Sequence, residues 1–259
     1  MNDQERLKQI RKEILVAAAK AGEGHIASAF SILDLLWVLY RRVMRYDAAN
    51  PKAAARDRFV LSKGHGSLGL YAVLAAHHFF PSTQLESFGS YEGLLGGHPD
   101  RTKVPGVEAS TGSLGHGLPM AAGMAYALRL KQSPFRVFCL IGDGEANEGS
   151  IWEAALLAAH HRLDNLCCLV DHNHSTDRAL EVGDLGGKFT AFGWSAASVD
   201  GHDQEAIYRA LSAPADGRPR AIIAATIKGK GCLPMENNPA WHHQAPKPGE
   251  LESLLAQIT

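Results

Sequence analysis

The chain has 259 residues, of which 46% are hydrophobic and 20% are charged, with a formal net charge of -1 at pH 7. Such a composition predicts a globular protein with a sizeable core and argues against disordered or fibrous chains. Because positive and negative charges almost balance, we expect neither nucleic acid nor an anionic membrane as a partner.

The N-terminal segment and the apolar runs bear on location. The longest apolar runs, such as residues 32–40, contain Asp34 and fall well short of the roughly 20 residues that a bilayer span requires. The N-terminus is charged and lacks the apolar stretch and cleavage site of a secretory signal. A cytoplasmic protein is therefore expected. Its cysteines are predicted to be reduced and buried, at Cys139, Cys167, Cys168 and Cys232.

Helical and strand-like patterns alternate along the chain. Apolar spacing predicts a first helix over residues 3–20, and Ser31 is predicted to start a second helix. Buried strands are predicted at residues 59–61, 137–141, 166–170 and 221–227. Further helices are predicted at residues 68–79, 118–131, 151–161 and 204–211. The alternation predicts an α/β, doubly wound fold with a mainly parallel sheet and helices on both faces, in one domain over residues 1–259.

Polar turns follow the predicted strands, where open α/β sheets bind their ligands. Gly142 and Gly144 allow close approach of the backbone to a phosphate, and the following helix offers free N–H donors. Asp143 between them would repel a phosphate unless a hard cation such as Mg²⁺ lies between the two. Asn173 follows the next strand, and its amide oxygen can complete an octahedral Mg²⁺ site with Asp143.

The GDG motif followed by this asparagine resembles the thiamine diphosphate signature. Further blocks resemble, in the same order, the N-terminal half of transketolase along nearly the whole chain. These blocks are DRFVLSKGHG at 57–66, GGHPD at 96–100, PGVEASTGSLGHG at 105–117, GDGEANEGSIWEA at 142–154 and IKGKGCLPMENNPAWH at 227–242. The resemblance implies the diphosphate-binding (PP) domain of the thiamine-diphosphate-binding fold.

The resemblance also implies roles for individual residues. Asp143, Asn173 and the carbonyl of Ser175 would hold Mg²⁺ or another divalent cation such as Ca²⁺ or Mn²⁺. The cofactor-binding residues would be His65, Gly112, Leu114, Gly142, Asp143, Gly144, Asn173 and His242, with Gly112 and Leu114 against the cofactor rings.

Four histidines match the active-site histidines of transketolases, which orient substrate hydroxyls and move protons; they are His25, His65, His98 and His242. Imidazole suits this work because its usual pKa near 6.5 lets it donate or accept a proton at neutral pH. The other histidines, including His243, are interpreted as structural. Glu148 and Glu153 match acidic residues near the family's subunit interface, or else are ordinary acids at a helix N-terminus.

Transketolases carry a second domain that clasps the aminopyrimidine ring and supplies an activating glutamate, and the resemblance does not extend to it. It therefore implies that the partner is a C-terminal transketolase-type subunit, in an A₂B₂ assembly. Together they would transfer a two-carbon ketol unit from a sugar or sugar phosphate to an aldose.

Two alternatives remain open. One is a subunit of another thiamine diphosphate enzyme, similar to 1-deoxyxylulose-5-phosphate synthase or to a 2-oxo acid dehydrogenase component. The other is a non-catalytic cofactor-binding subunit. The sequence also departs from the family pattern, because His116 stands where glutamine is frequent and the segment after Asn173 is shorter than usual.

Overall fold

The computed structural model describes residues 2–259. Its centre is a five-stranded sheet in the order β1-β2-β3-β5-β4, and every neighbouring pair of strands is parallel. The strands are β1 (Arg58–Leu61), β2 (Val137–Gly142), β3 (Leu166–His172), β4 (Ser195–Asp200) and β5 (Arg220–Ala225). The predicted α/β fold with a parallel sheet is confirmed.

Helices within residues 2–259 cover both faces of the sheet. They are α1 (Asp3–Ala21), α2 (Ile26–Ser31), α3 (Leu33–Val38), α4 (Ser67–Ala76), α5 (Gly117–Leu130), α6 (Gly149–His160), α7 (Leu185–Ala191), α8 (Gln204–Ser212) and α9 (Leu251–Ala256). A π-helical turn, Leu39–Val43, continues α3. In this part of the chain no helix combines the length and the apolar composition that a membrane crossing requires.

Two apolar cores lie on opposite faces of the sheet because successive strand side chains point in opposite directions. Phe138 and Leu140 of β2 face a core built with α1 to α4, α8 and α9. Cys139 and Ile141 face a second core built with α5, α6 and α7. Burial on both faces explains why the central strands have nearly continuous apolar sequences. The cysteines are buried and free, as predicted.

Local signals fix the first helix. Asn2 and Glu5 form a capping box at its start, and Gly22 ends it in the left-handed conformation with φ 73°. The prediction that Ser31 starts the second helix is wrong: Ser31 is the last residue of α2, which begins at Ile26. Its hydroxyl donates to Asp171 across the core instead of capping a helix.

Two elements, β4 and α7, were not predicted. The β4 sequence SAASVD is only partly buried, since β4 is an edge strand and pairs with β5 alone. The predicted last strand also runs two residues too far, to Ile227. The backbone N–H of Ile227 donates to Nε2 of His202 at 2.9 Å, so it leaves the ladder of β5.

Candidate functional site

The candidate site lies at the carboxyl ends of β2 and β3. The parallel register pairs Gly142 with Asp171, so the residues after these two strands meet at one edge of the sheet. A cavity of about 240 Å³ opens there. Its lining includes Lys63, His65, Leu114, Gly142, Asp143, Gly144, Asn173, Ser175, Lys228 and His242.

Asp143 is 3% exposed, and only one of its two carboxylate oxygens accepts a hydrogen bond. Its Oδ1 accepts a hydrogen bond from the backbone N–H of Gly144 at 2.7 Å. Its Oδ2 is buried without a hydrogen-bond partner. Burial raises the pKa of this carboxyl, and the nearby carboxylate of Asp171 raises the pKa further. A buried charged oxygen without a donor is costly, and a bound cation would satisfy it.

Asn173 lines the same cavity as Asp143. Oδ1 of Asn173 accepts a hydrogen bond from the backbone N–H of Ser175 at 3.1 Å. The amide oxygen therefore points toward Ser175, whose carbonyl is the third predicted cation ligand. A carboxylate, an amide oxygen and a backbone carbonyl are hard oxygen ligands that fit Mg²⁺. Across residues 2–259 no cluster of three or more His, Cys, Asp or Glu side chains offers an alternative metal site.

The four predicted histidines come together although they lie far apart in the sequence. The ring centroid of His25 lies 5.2 Å from that of His65, 6.4 Å from that of His98 and 5.5 Å from that of His242. The His243 ring, interpreted from sequence as structural, stacks on His25 at 4.4 Å. Burial and then the charge of His243 lower the pKa of His25 to about 4, so its imidazole is neutral at pH 7.

Gly112 approaches one of these histidines closely. A Cβ atom at this position would come within 3.1 Å of Cδ2 of His98. The Gly112 backbone therefore lies against the His98 ring, and the loop that follows brings Leu114 to the cavity. The residues predicted to contact the cofactor rings and a histidine predicted to face the substrate thus occupy neighbouring positions.

Comparison with known proteins decides the family. Residues 2–256 match the protein family described as "Transketolase, thiamine diphosphate binding domain". The chain belongs to the transketolase family. An apulose-4-phosphate transketolase subunit from Phocaeicola vulgatus is 36% identical to it over 96% of this chain and 91% of the relative. The 6-deoxy-6-sulfo-D-fructose transketolase subunit SqwG from a Clostridium species is 40% identical over 90% of this chain and 88% of the relative.

Longer transketolases share the fold. The transketolase from Leishmania mexicana superimposes with a TM-score of 0.90 at 28% identity, covering 100% of this chain and 41% of that one. Rattus norvegicus transketolase is 39% identical over 96% of this chain and 41% of its own length. The chain thus spans about two fifths of these transketolases and has their α/β thiamine-diphosphate-binding fold.

Two lysines that line the cavity were not predicted from the sequence. Lys228 Nζ lies 2.8 Å from Nδ1 of His242, and burial, reinforced by the charge of Lys63, lowers the pKa of Lys228 to about 8. Lys63 is 2% exposed and pairs with Asp171. Lys63 lies in the motif SKGHG and Lys228 in the motif KGKG. Because both motifs follow predicted strands, their position in the sequence could have identified the two lysines. Both motifs therefore bring a lysine into the lining of the cavity that also contains Asp143.

Glu145, also missed, joins three of the transketolase-like blocks. It is 1% exposed and accepts hydrogen bonds from the Ser62 hydroxyl and from the backbone N–H groups of Gly115 at 2.9 Å and Gly142 at 3.3 Å. Burial raises its pKa. Glu145 therefore holds the loops around the cavity together.

Glu148 and Glu153 lie outside the cavity. Both are exposed, at the N-cap of α6 and in its second turn. His116 is exposed as well, with Nδ1 3.1 Å from the carbonyl oxygen of Leu114. The two glutamates are thus accessible to another chain, as an interface role would require.

Proposed function

We propose that this chain is the thiamine-diphosphate-binding subunit of a two-subunit transketolase. It would act in the cytoplasm with a C-terminal transketolase-type subunit, in an A₂B₂ assembly, as one cofactor-binding domain over residues 1–259. Relatives named as transketolase subunits match it over about nine tenths of their own length, which supports this architecture and disfavours the two alternatives.

The observation that carries the proposal is the unpartnered, buried Oδ2 of Asp143. It lies at the end of β2, in a cavity that Asn173 and Ser175 also line, on the edge where the four histidines gather. We assign Asp143, Asn173 and the carbonyl of Ser175 to Mg²⁺ or another divalent cation. Lys228 lines the same cavity and would offset diphosphate charge that the cation leaves, and the rings of His65 and His242, which also line it, would donate hydrogen bonds to the diphosphate.

Thiamine diphosphate, when bound, supplies a nucleophilic carbon and an electron sink for cleaving and forming a carbon–carbon bond. This chain would position it through the cation and the backbone of Gly142 and Gly144. Gly112 and Leu114 would pack against its rings. The neutral imidazoles of His25 and His65 would accept protons from sugar hydroxyls or donate hydrogen bonds to them, and His98 would orient the substrate.

For the substrate, we propose a ketose that carries an anionic group. The names of the two subunit relatives describe action on apulose-4-phosphate and on 6-deoxy-6-sulfo-D-fructose, which are a phosphorylated and a sulfonated sugar. Transfer of the two-carbon ketol unit to an aldose would complete the reaction.

The test is Asp143→Ala with titration of thiamine diphosphate at several Mg²⁺ concentrations. Removing the anionic ligand should abolish Mg²⁺-dependent binding, because the diphosphate charge is then poorly neutralised. Asp34→Ala, at a buried carboxylate paired with Arg11 elsewhere in the fold, is the matched control and should retain binding. If Asp143→Ala binds the cofactor as tightly as wild type, the assignment is wrong.

A further inference from the structure

A buried polar cluster lies directly beneath the proposed cation site. Its members are almost inaccessible: Asp171 and Ser31 are 0% exposed, Lys63 is 2% exposed and Thr226 is 7% exposed. They come from β3, α2 and the segments that follow β1 and β5. So many polar groups are seldom buried together unless each has a partner.

Asp171 is the centre of this cluster. Its Oδ1 accepts hydrogen bonds from the hydroxyls of Ser31, at 2.6 Å, and Thr226. Its Oδ2 accepts from Nζ of Lys63 and from Nδ2 of Asn173, the latter at 2.9 Å. Lys63 neutralises the carboxylate, so Asp171 itself needs no further cation. The effect of the lysine and the hydroxyls is to fix the carboxylate in one orientation.

The cluster also decides which end of the Asn173 amide faces the cavity. Both hydrogens of Nδ2 have acceptors, Asp171 at 2.9 Å and the Ser31 hydroxyl at 3.2 Å. A carboxylate can only accept hydrogen bonds. Rotating the amide by a half turn would lose both bonds and place its oxygen against a negative charge. The amide oxygen is therefore kept on the side of Ser175 and the cavity.

We propose that Asp171 is a positioning residue that turns Oδ1 of Asn173 toward the divalent cation, with Lys63, Ser31 and Thr226 holding Asp171 in place. This inference rests on the cation site of the proposed function. An asparagine is a ligand only through its oxygen, whereas its nitrogen would repel the ion. Asp171 thus supplies the orientation that the neutral amide cannot supply by itself.

Asp171→Asn tests the proposal with little change in shape. An amide at position 171 can donate as well as accept, so either orientation of Asn173 becomes available. Isothermal titration of Mg²⁺ at constant thiamine diphosphate, on the full chain with and without its partner subunit, should show affinity about 10-fold to 100-fold weaker. Asp34→Asn makes the same change at another buried carboxylate and should leave the Mg²⁺ affinity unchanged.

A swapped pair, Asp171→Asn with Asn173→Asp, provides a rescue. Both oxygens of a carboxylate can bind a cation, so position 173 then needs no orientation, and the new amide can donate to it. The swap should recover most of the lost Mg²⁺ affinity while keeping the total charge. A swapped variant that binds Mg²⁺ no better than Asp171→Asn would contradict the inference, because a carboxylate at position 173 needs no orientation.

If circular dichroism shows that Asp171→Asn does not fold, Ser31→Ala provides a second test. It removes one acceptor of the Asn173 amide and should weaken Mg²⁺ binding roughly threefold to tenfold. Wild-type Mg²⁺ affinity in folded Asp171→Asn or in Ser31→Ala would overturn this inference. Failure of the cation site itself would appear separately, as Asp143→Ala that binds the cofactor normally.

Discussion

His98 is exposed and lies away from the proposed cation site. Its ring packs on Gly112, 6.4 Å from the ring centroid of His25, and it does not line the cavity around Asp143. His98→Ala should therefore lower turnover or donor affinity and leave the dissociation constant of thiamine diphosphate nearly intact. Steady-state kinetics beside a cofactor titration separates the two effects.

The exposed His78 supplies a control for that experiment, because His78→Ala should change neither quantity. A primary loss of cofactor binding in His98→Ala, with donor kinetics preserved, would contradict the placement of His98 on the substrate side.

The partly buried His65 predicts a loss of stability in mild acid. Burial, reinforced by the charge of Lys63, lowers the pKa of His65 to about 2, against an ordinary value near 6.5. Below pH 6.5 the unfolded chain binds a proton at this residue that the folded chain excludes. The free energy of unfolding therefore falls as the pH drops from about 6.5 toward 2.

His65→Asn should remove part of this dependence. Urea unfolding of the cofactor-free chain at pH 7 and pH 5 should show a stability loss that is smaller than in wild type by about 1–2 kcal/mol. His160→Asn, at an exposed histidine of α6, should leave the loss unchanged. An identical pH dependence in wild type and His65→Asn would count against a lowered pKa of His65 in the folded chain.

Some site residues could be predicted and others could not. Asp143 and Asn173 follow strands that the apolar pattern predicts, and a parallel sheet brings the ends of such strands together. Glu145 and Asp171 gave no such signal, since a single sequence does not show which buried carboxylates find donors. No transketolase-like motif includes His243, so the sequence alone indicates a structural residue. Only the fold shows that its ring stacks on His25.

At the scale of elements, the loop that contains Gly115 packs closely against the start of α6. Gly115 has φ 84°, and a Cβ atom there would lie 2.5 Å from Oγ of Ser150 and 2.7 Å from Cβ of Glu148. Gly115→Ala should destabilise the fold by about 2–3 kcal/mol, from backbone strain and overpacking. Gly123→Ala, inside α5 with no atom within 4 Å of the new Cβ, should stabilise it by about 0.5–1 kcal/mol.

Chemical denaturation of both variants measures these differences. Because the Gly115 N–H donates to Glu145, the first variant should also weaken cofactor binding, whereas the second should not. Equal stabilities for the two variants would mean that the loop does not pack on α6 as described.

Elements with strong periodicity were predictable, and those defined by long-range contacts were not. The buried strands β1, β2, β3 and β5 stand out as apolar runs, whereas β4 becomes a strand only by pairing with β5 at the edge of the sheet. Ser31 has the chemistry of a helix cap, but a carboxylate 140 positions away in the sequence takes its hydroxyl. Local propensity could not reveal either outcome.

At the scale of the whole molecule, we predict that the chain alone has no ketol-transferase activity. Within residues 2–259 the cavity is lined by the proposed cation ligands, lysines and histidines, and the resemblance to transketolases implies that the activating glutamate belongs to another domain. A C-terminal transketolase-type subunit should restore activity, and the same subunit without its glutamate should not. Ketol transfer assayed in these three mixtures decides the matter, and full activity of the chain alone would refute the two-subunit proposal.

The unpartnered Oδ2 of Asp143 leads us to predict that the supply of thiamine affects the lifetime of the protein. Without a cation the folded chain carries an unsatisfied buried charge that the unfolded chain hydrates. A ligand at 100 times its dissociation constant adds about 2.7 kcal/mol to the stability of the fold it binds. Cells starved of thiamine should therefore degrade this chain faster, and Asp143→Ala should make its half-life, followed by pulse-chase, independent of thiamine. Proteolysis would then remove subunits that lack the cofactor. Such subunits could otherwise bind a partner subunit and form an inactive complex.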